Sequence, residues 1–204
     1  MDEFKQLLAV ADRLLGPGGC PWDLEQTLFT LQPYLLEETH ELIEAIDEGK
    51  AHKISEELGD VLYALIFVAK LSEKQQLFTL SESIRGVTEK LIRRHPHVFG
   101  EKKVESTDDV VRNWEEIKKK EGKKNPIEGI PPTLPALARA QKVIHKLLKA
   151  KSPLIPTSAP TLSSEEELGQ KLWDLIRQGD MLGYDAESAL RRTSQSVEEK
   201  FLSS

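Results

Sequence analysis

Ile54-Ser-Glu-Glu57-Leu-Gly-Asp60-Val-Leu-Tyr-Ala-Leu-Ile-Phe-Val-Ala69 decides the fold class of this 204-residue chain. Its last nine residues, Val61 to Ala69, are apolar around the whole helical circumference. That pattern predicts a buried helix over about Ile54 to Glu73, because a half-buried strand would alternate. Nine apolar residues are roughly half of the ~20 that cross a bilayer, so a membrane span is not expected. No proline occurs between Tyr34 and His95, which leaves room for long helices. Seven prolines from Pro126 to Pro160 then require connectors.

The rest of the chain follows the same rule. A first helix is expected over about Asp2 to Leu15, stopped by Gly16 and followed by a Gly/Pro-rich loop to Pro21. The helix before the opening stretch begins at Thr27 or at Pro33 and closes at Glu48, with Gly49 as its stop. A fourth helix starts at Thr79, whose capping partner is Glu82, and ends before Pro96. A fifth covers about Thr107 to Glu121 with Ser106 as N-cap. Three more are expected near 135–151, 164–178 and 185–203. Strand alternation and Asn-Gly hairpin pairs are missing, so the chain reads as all-α, a helical bundle.

Composition narrows the function. The balance of 28 Lys+Arg against 34 Asp+Glu gives a formal charge of −6, which argues against a duplex nucleic-acid partner. With 39% apolar residues the chain can bury a core. Cys20 is the single cysteine, so no internal disulfide forms and a reducing, cytoplasmic setting is expected. It reads as a packing residue, with no acid and histidine arranged around it in sequence. The opening Met-Asp-Glu-Phe-Lys lacks the basic-then-apolar pattern of a secretory signal.

The opening stretch has an echo. Glu57-Leu-Gly-Asp60-Val-Leu-Tyr-Ala-Leu-Ile66 reappears as Glu167-Leu-Gly-Gln170-Lys-Leu-Trp-Asp-Leu-Ile176, with six of ten positions identical. This points to a divergent second helical unit. The expected organisation is a full unit at residues 1–122, a Pro-rich connector at 123–134 and a reduced unit at 135–204.

Five acids carry the chemistry: Glu37, Glu38, Glu41, Glu57 and Asp60. In the helix ending at Glu48, Leu31, Leu35, Leu42, Ala45 and Ile46 form the apolar stripe. Glu38 lies inside this stripe, Glu41 on its edge, and Glu37 away from it. Glu57 and Asp60 repeat the three-residue spacing just before the apolar run. Four carboxylates aimed at an apolar interior repel one another and resist desolvation. A multivalent cation resolves both, and a sparse oxygen set that leaves room for phosphate suits Mg²⁺. By contrast, Glu44, Glu48 and Glu56 read as solvated surface. A P-loop of the form Gly-x-x-x-x-Gly-Lys-Ser/Thr is not present.

Glu37-Glu38-Thr-His-Glu41, a 15-residue gap, then Glu57-Leu-Gly-Asp60 resembles the Glu-Glu-x-x-Glu … Glu-x-x-Asp signature of all-α nucleoside triphosphate pyrophosphohydrolases, closest to the MazG branch. Gly19-Cys-Pro-Trp-Asp23, Glu25-Gln-Thr27, the segment Lys90 to Gly100 and Trp114-Glu-Glu-Ile-Lys118 agree with it, so the likeness covers about residues 16–122. The resemblance implies hydrolysis of a nucleoside triphosphate between the α and β phosphates, giving a monophosphate and pyrophosphate. It implies Mg²⁺, with Mn²⁺ as a substitute, held by Glu38, Glu41, Glu57 and Asp60. Metal-activated water would attack the α-phosphorus. Glu37 would stand outside the ligand sphere, add a ligand, or orient the water. A homodimer at least is also implied. Narrower dUTP or dCTP pyrophosphatases share this fold, and a non-catalytic nucleotide-binding scaffold is the alternative from another class.

Around the acids, Lys90, Arg93 and Arg94 form a cationic group near a helix end suited to the β and γ phosphates. His95 and His97 are either phosphate or metal contacts or structural residues of the helix exit. Trp114 and Lys118, four apart, either stack a base and meet a phosphate or belong to a core. The resemblance also places Trp22, Gln26 and Thr27 near the nucleotide. In the second unit Gln170 stands where Asp60 stands, Ser196 replaces Lys90 and Lys200 replaces Arg94. No Glu-Glu-x-x-Glu precedes Glu167, and Lys149 to Ser164 is Pro/Ser-rich instead. That unit is expected to be inactive and to serve packing or assembly.

Overall fold

Helix punctuation by proline, glycine and capping side chains sets the architecture. The computed structural model describes residues 2–122, 125–156 and 161–203. The first two residues of the expected connector, 123 and 124, and Pro160 lie outside the described residues. The elements are α1 (Asp2–Leu15), α2 (Pro21–Glu25), α3 (Gln32–Glu48), α4 (Ala51–Lys74), α5 (Leu80–Arg94), α6 (Pro96–Phe99), α7 (Thr107–Lys120), α8 (Ala136–Lys149), α9 (Glu165–Met181) and α10 (Ala186–Leu202). Among the described residues there is no strand, and no helix is long and apolar enough to cross a membrane. The all-α expectation is met.

Two compact units result, Met1–Val110 and Val111–Ser204. The division falls within α7, whereas the sequence placed the end of the first unit after that helix, at Gly122.

In the first unit, α3 and α4 form a helical hairpin closed by Gly49, whose φ of 69° places it in the left-handed region that caps a helix without a Cβ penalty. The helix ending at Glu48 starts at Gln32, so Pro33 sits in its first turn, where a missing N–H costs nothing. Packed against this hairpin through α4 is α1; Lys70 reaches from α4 to Asp12 of α1 at 2.7 Å. Leu31, Phe67 and Leu71 form the buried cluster, with Leu15, Leu28, Tyr63 and Val68 around it. Each large side chain fully buried there contributes about 1.5–3 kcal/mol. One expectation needs correction. Ile66, Phe67 and Ala69 are buried, but Leu62 and Leu65 are 38% and 50% exposed. The apolar run of α4 is therefore not covered on all sides: α1 and α3 take two of its faces, and a third stays open.

The Thr79–Glu82 capping box at the start of α5 is present in full, with Glu82 N donating to Thr79 Oγ1 and Thr79 N to Glu82 Oε2. In the second unit α8 packs on α10 around Ile127, Ile130, Val143 and Leu147. Arg139 and Glu198 join those two helices by a 2.7 Å ion pair, both side chains largely buried. Arg139 also donates to the carbonyls of Ile130 and Pro131, tying the Pro-rich segment to the helices.

Candidate metal centre and nucleoside pocket

The hairpin explains how residues far apart in sequence come together. Glu41 and Glu57 each lie eight residues from Gly49, and Glu38 and Asp60 each lie eleven. Two helical arms with the same 1.5 Å rise bring equidistant residues to the same level. Carboxylate oxygens of Glu38, Glu41 and Glu57 accordingly lie within 4.8 Å of one another. Asp60 is outside that tight group but shares a cavity wall with Glu38. Glu37 is exposed on the adjoining face of α3.

The carboxylates of this group act on one another. Partial burial, then the charges of Asp60, Glu41, Glu57 and Glu37, push the Glu38 carboxyl above its ordinary range. Desolvation, then Glu41, Glu56 and Asp60, does the same to Glu57, and Lys53 offsets part of it. The donor set consists of hard oxygens held close together against their own repulsion, which fits a divalent ion such as Mg²⁺.

Beside the carboxylates is a cavity of about 210 Å³ lined by Trp22, Leu31, Tyr34, Glu38, Asp60, Tyr63, Ala64 and Phe67. Trp22 meets Tyr34 edge to face, with ring centroids 5.3 Å apart and an 86° interplanar angle. Burial, then the nearby Asp23 and Cys20, raises the Tyr63 hydroxyl above its usual range. This chamber is lined by four aromatic residues and by two of the acids, Glu38 and Asp60. Sequence reasoning placed Trp22 near the nucleotide but missed Tyr34, Tyr63 and Phe67. The available signal was spacing: Tyr34 precedes Glu38 by one turn, and Tyr63 follows Asp60 by three residues.

Trp22 is held by a short, tightly closed segment. The loop before it presses on α1, where a Cβ at Gly19 would stand 2.0 Å from the Leu14 carbonyl oxygen. Gln26 does not line the cavity. Its Nε2 donates to the Trp22 carbonyl at 3.0 Å, and its Oε1 accepts the Thr30 hydroxyl at 2.8 Å. Thr27 and Thr30 bond each other's backbone N–H, closing the turn that leads into α3.

Other expected contacts are placed as follows. Lys90, Arg93 and Arg94 occupy the last turns of α5 and are not among the cavity-lining residues. His95 and His97 flank Pro96 with ring centroids 5.6 Å apart, and His95 Nδ1 donates to the Leu91 carbonyl at 2.7 Å. That contact ties the ring to the last turn of α5. Trp114 and Lys118 belong to the second unit. There Lys118 Nζ stands 5.5 Å from the Trp114 ring centroid and 2.9 Å from Glu115. Cys20 is half-buried at the start of α2 and is a free thiol.

Residues 26–99 match the model of the MazG nucleotide pyrophosphohydrolase domain. The chain is 36% identical over 217 residues to the nucleoside triphosphate pyrophosphohydrolase/pyrophosphatase MazG of Thermotoga maritima, an alignment covering 97% of this chain and 84% of that protein. It is 44% identical over 144 residues to the uncharacterized protein YabN of Bacillus subtilis, covering 69% of this chain and only 29% of that longer protein. Among solved structures, a MazG-related protein from Thermotoga maritima superposes with a TM-score of 0.51 at 32% identity, covering 56% of this chain and 98% of its own. With a relative of 36% identity aligned over 97% of this chain, and the matched domain beside it, the chain belongs to the MazG nucleotide pyrophosphohydrolase family.

Proposed function

We propose that this protein is a Mg²⁺-dependent nucleoside triphosphate pyrophosphohydrolase that converts NTP or dNTP and water into the monophosphate and pyrophosphate. Family membership supports the reaction class, hydrolysis of an acid anhydride. The observation that carries the metal dependence is the convergence of Glu38, Glu41 and Glu57 within 4.8 Å, with Asp60 beside them. These four would hold the ion, with Mn²⁺ as a substitute. Bound there, the metal supplies charge neutralisation on the phosphates and activation of water. Glu38 and Asp60 also line the aromatic chamber, so the phosphate end of the site would adjoin it, and Trp22 and Tyr34 provide stacking surface for a base. Glu37 is exposed beside Glu38, so it can orient water or accept its proton without leaving solvent. Lys90, Arg93 and Arg94 are the proposed partners of the β and γ phosphates.

Hydrolysis of a nucleotide panel in H₂¹⁸O tests both bond and substrate. The expected label is in the nucleoside monophosphate, because water adds to the α-phosphorus and the α–β bridging bond breaks. Label in inorganic pyrophosphate would place the attack on the wrong phosphorus. Turnover confined to dUTP or dCTP would assign a narrower pyrophosphatase, and no turnover of any triphosphate would favour a nucleotide-binding scaffold.

The same reading gives the second unit a non-catalytic role as a reduced copy. The turns after α4 and α9 support this. Gln76 and Gly183 both have positive φ, and their N–H groups donate back to Glu73 and Asp180. Leu77 and Tyr184 then donate to Ser72 and Gly179. Aligning the N-caps Thr79 and Asp185 places Ser196, Glu199 and Lys200 at the positions of Lys90, Arg93 and Arg94. Glu167, the counterpart of Glu57, serves structure instead. It pairs with Lys171 at 2.7 Å and accepts from the Ser163 N–H and hydroxyl, which holds its carboxyl down at about 2. Glu167→Gln is therefore expected to leave turnover within about twofold, as a site independent of the first unit's acids. It should lower the melting temperature slightly at neutral pH. Because the folded-state value is depressed, that contribution exists above the ordinary carboxylate range and disappears as pH falls toward 2. A melting series from pH 7 to 2 should show the two proteins converging; a turnover loss would give the second unit a part in the chemistry.

Assembly belongs to this proposal too. Leu36 and Ile43 on α3 and Leu58 and Leu65 on α4 are exposed apolar residues of the first unit. A second copy covering them would complete a four-helix core, giving a homodimer at least. A cytoplasmic location, where triphosphates and free Mg²⁺ are found, is consistent with the free thiol of Cys20.

A further inference from the structure

We propose that Gln26 is a positioning residue, whose side-chain amide clamps α2 to the turn entering α3 and so sets Trp22 for stacking on the base; this rests on the pyrophosphohydrolase reading above. The need for a clamp follows from length. With five residues, α2 is too short to be stable alone, and the carbonyls of its last turn have few helical partners. Gln26 supplies them: its backbone N–H donates to the Asp23 carbonyl and its Nε2 to that of Trp22. The same amide's oxygen accepts from Thr30, whose Oγ1 also accepts the Thr27 N–H. Leu31, the next residue, is 5% exposed and forms another wall of the cavity. One amide thus connects the backbone of Trp22 to the turn carrying Leu31. Both ends of the amide are engaged, so Gln26 acts through Trp22 and not by touching substrate.

The linkage runs on into the metal site. Trp22 rests edge-on against Tyr34, which lies one turn before Glu38 on the same face of α3. Loosening α2 should free the aromatic wall while leaving the carboxylates on α3 and α4 in place. That predicts a defect in binding the base and none in binding the phosphates.

ATP hydrolysis and calorimetric binding of ATP and of inorganic pyrophosphate test this on the full chain. Gln26→Ala and Thr30→Val should each raise KM for ATP by roughly threefold to tenfold, a part of what base stacking supplies. The change in kcat should stay within about twofold. Affinity for pyrophosphate, which carries no base, should not change. Thr30→Ser retains the hydroxyl and should restore KM, and the double variant should be no weaker than either single one, because both cut one network. If Gln26→Ala does not fold, the Thr30→Val and Thr30→Ser pair decides. Equal weakening of ATP and pyrophosphate, a fall in kcat at constant KM, or a wild-type KM in Thr30→Val would each overturn the clamp. A wild-type chain that hydrolyses nothing would overturn the hydrolase reading alone, since the ratio of ATP to pyrophosphate affinity still reports on Trp22. Binding of neither by the wild-type chain would overturn both.

Discussion

Glu57→Gln is expected to reduce pyrophosphate release by about a thousandfold, the equivalent of ~4 kcal/mol of transition-state stabilisation. Glu38→Gln should do the same. An amide of nearly the same shape keeps the packing of α3 and α4 but removes one negative charge from a group of acids that together attract the cation. The fold should survive, and in metal-free buffer it should become more stable. Glu38 is raised by partial burial and by Asp60, Glu41, Glu57 and Glu37, so deleting either charge relieves repulsion that the folded state otherwise carries. Calorimetric melting in EDTA would show the variants unfolding above the parent, while a continuous pyrophosphate assay shows them inactive. Retained turnover in Glu57→Gln would sink the assignment of these acids to the metal.

Removal of the metal should have an effect of comparable size. Dialysis against EDTA is expected to bring turnover below about 1% of the starting rate, since the acids alone cannot neutralise a triphosphate. Added Mg²⁺ should restore it, and Mn²⁺ should substitute. The same titration has a thermodynamic readout. An ion that binds only the folded chain stabilises it by about 2.7 kcal/mol at a free concentration of a hundred times its Kd. The melting temperature should therefore climb with the logarithm of Mg²⁺ concentration, and this slope should flatten in Glu38→Gln. A wild-type melting curve indifferent to Mg²⁺ at millimolar concentration would contradict a site at these residues.

Much of the fold was legible because its signals are local. Gly16 and Gly49 end their helices, and Thr79 with Glu82, and Ser106, begin theirs through side-chain bonds expected from the sequence. The two shortest helices, α2 and α6, were not anticipated, since four or five residues cannot display a helical period; Pro21 and Pro96 at their first positions were the only hints. The acids were legible by spacing and by the position of Glu38 in an apolar stripe. The chamber was not. Phe67 and Tyr63 look like core residues on α4, and whether such a face meets more core or a cavity depends on where the 16–31 segment folds back. The family resemblance places Gln26 near the nucleotide because it locates the loop, and it carries no information on the partners of one amide. That amide's actual partners, Trp22 and Thr30, are four residues away on either side.

The equal distances of the acids from Gly49 also limit how this protein can change. Surface connections between helices ordinarily accept an extra residue at little thermodynamic cost. Here an extra residue taken up within the helical arms between Glu41 and Glu57 would shift one arm by one helical step against the other, a translation of 1.5 Å and a rotation of about 100°. Glu57 and Asp60 would then turn away from Glu41 and Glu38 although every acid was still encoded. The number of helical residues between Glu41 and Glu57 is therefore part of the candidate site's specification, and such an insertion would undo the cluster without removing a single acid.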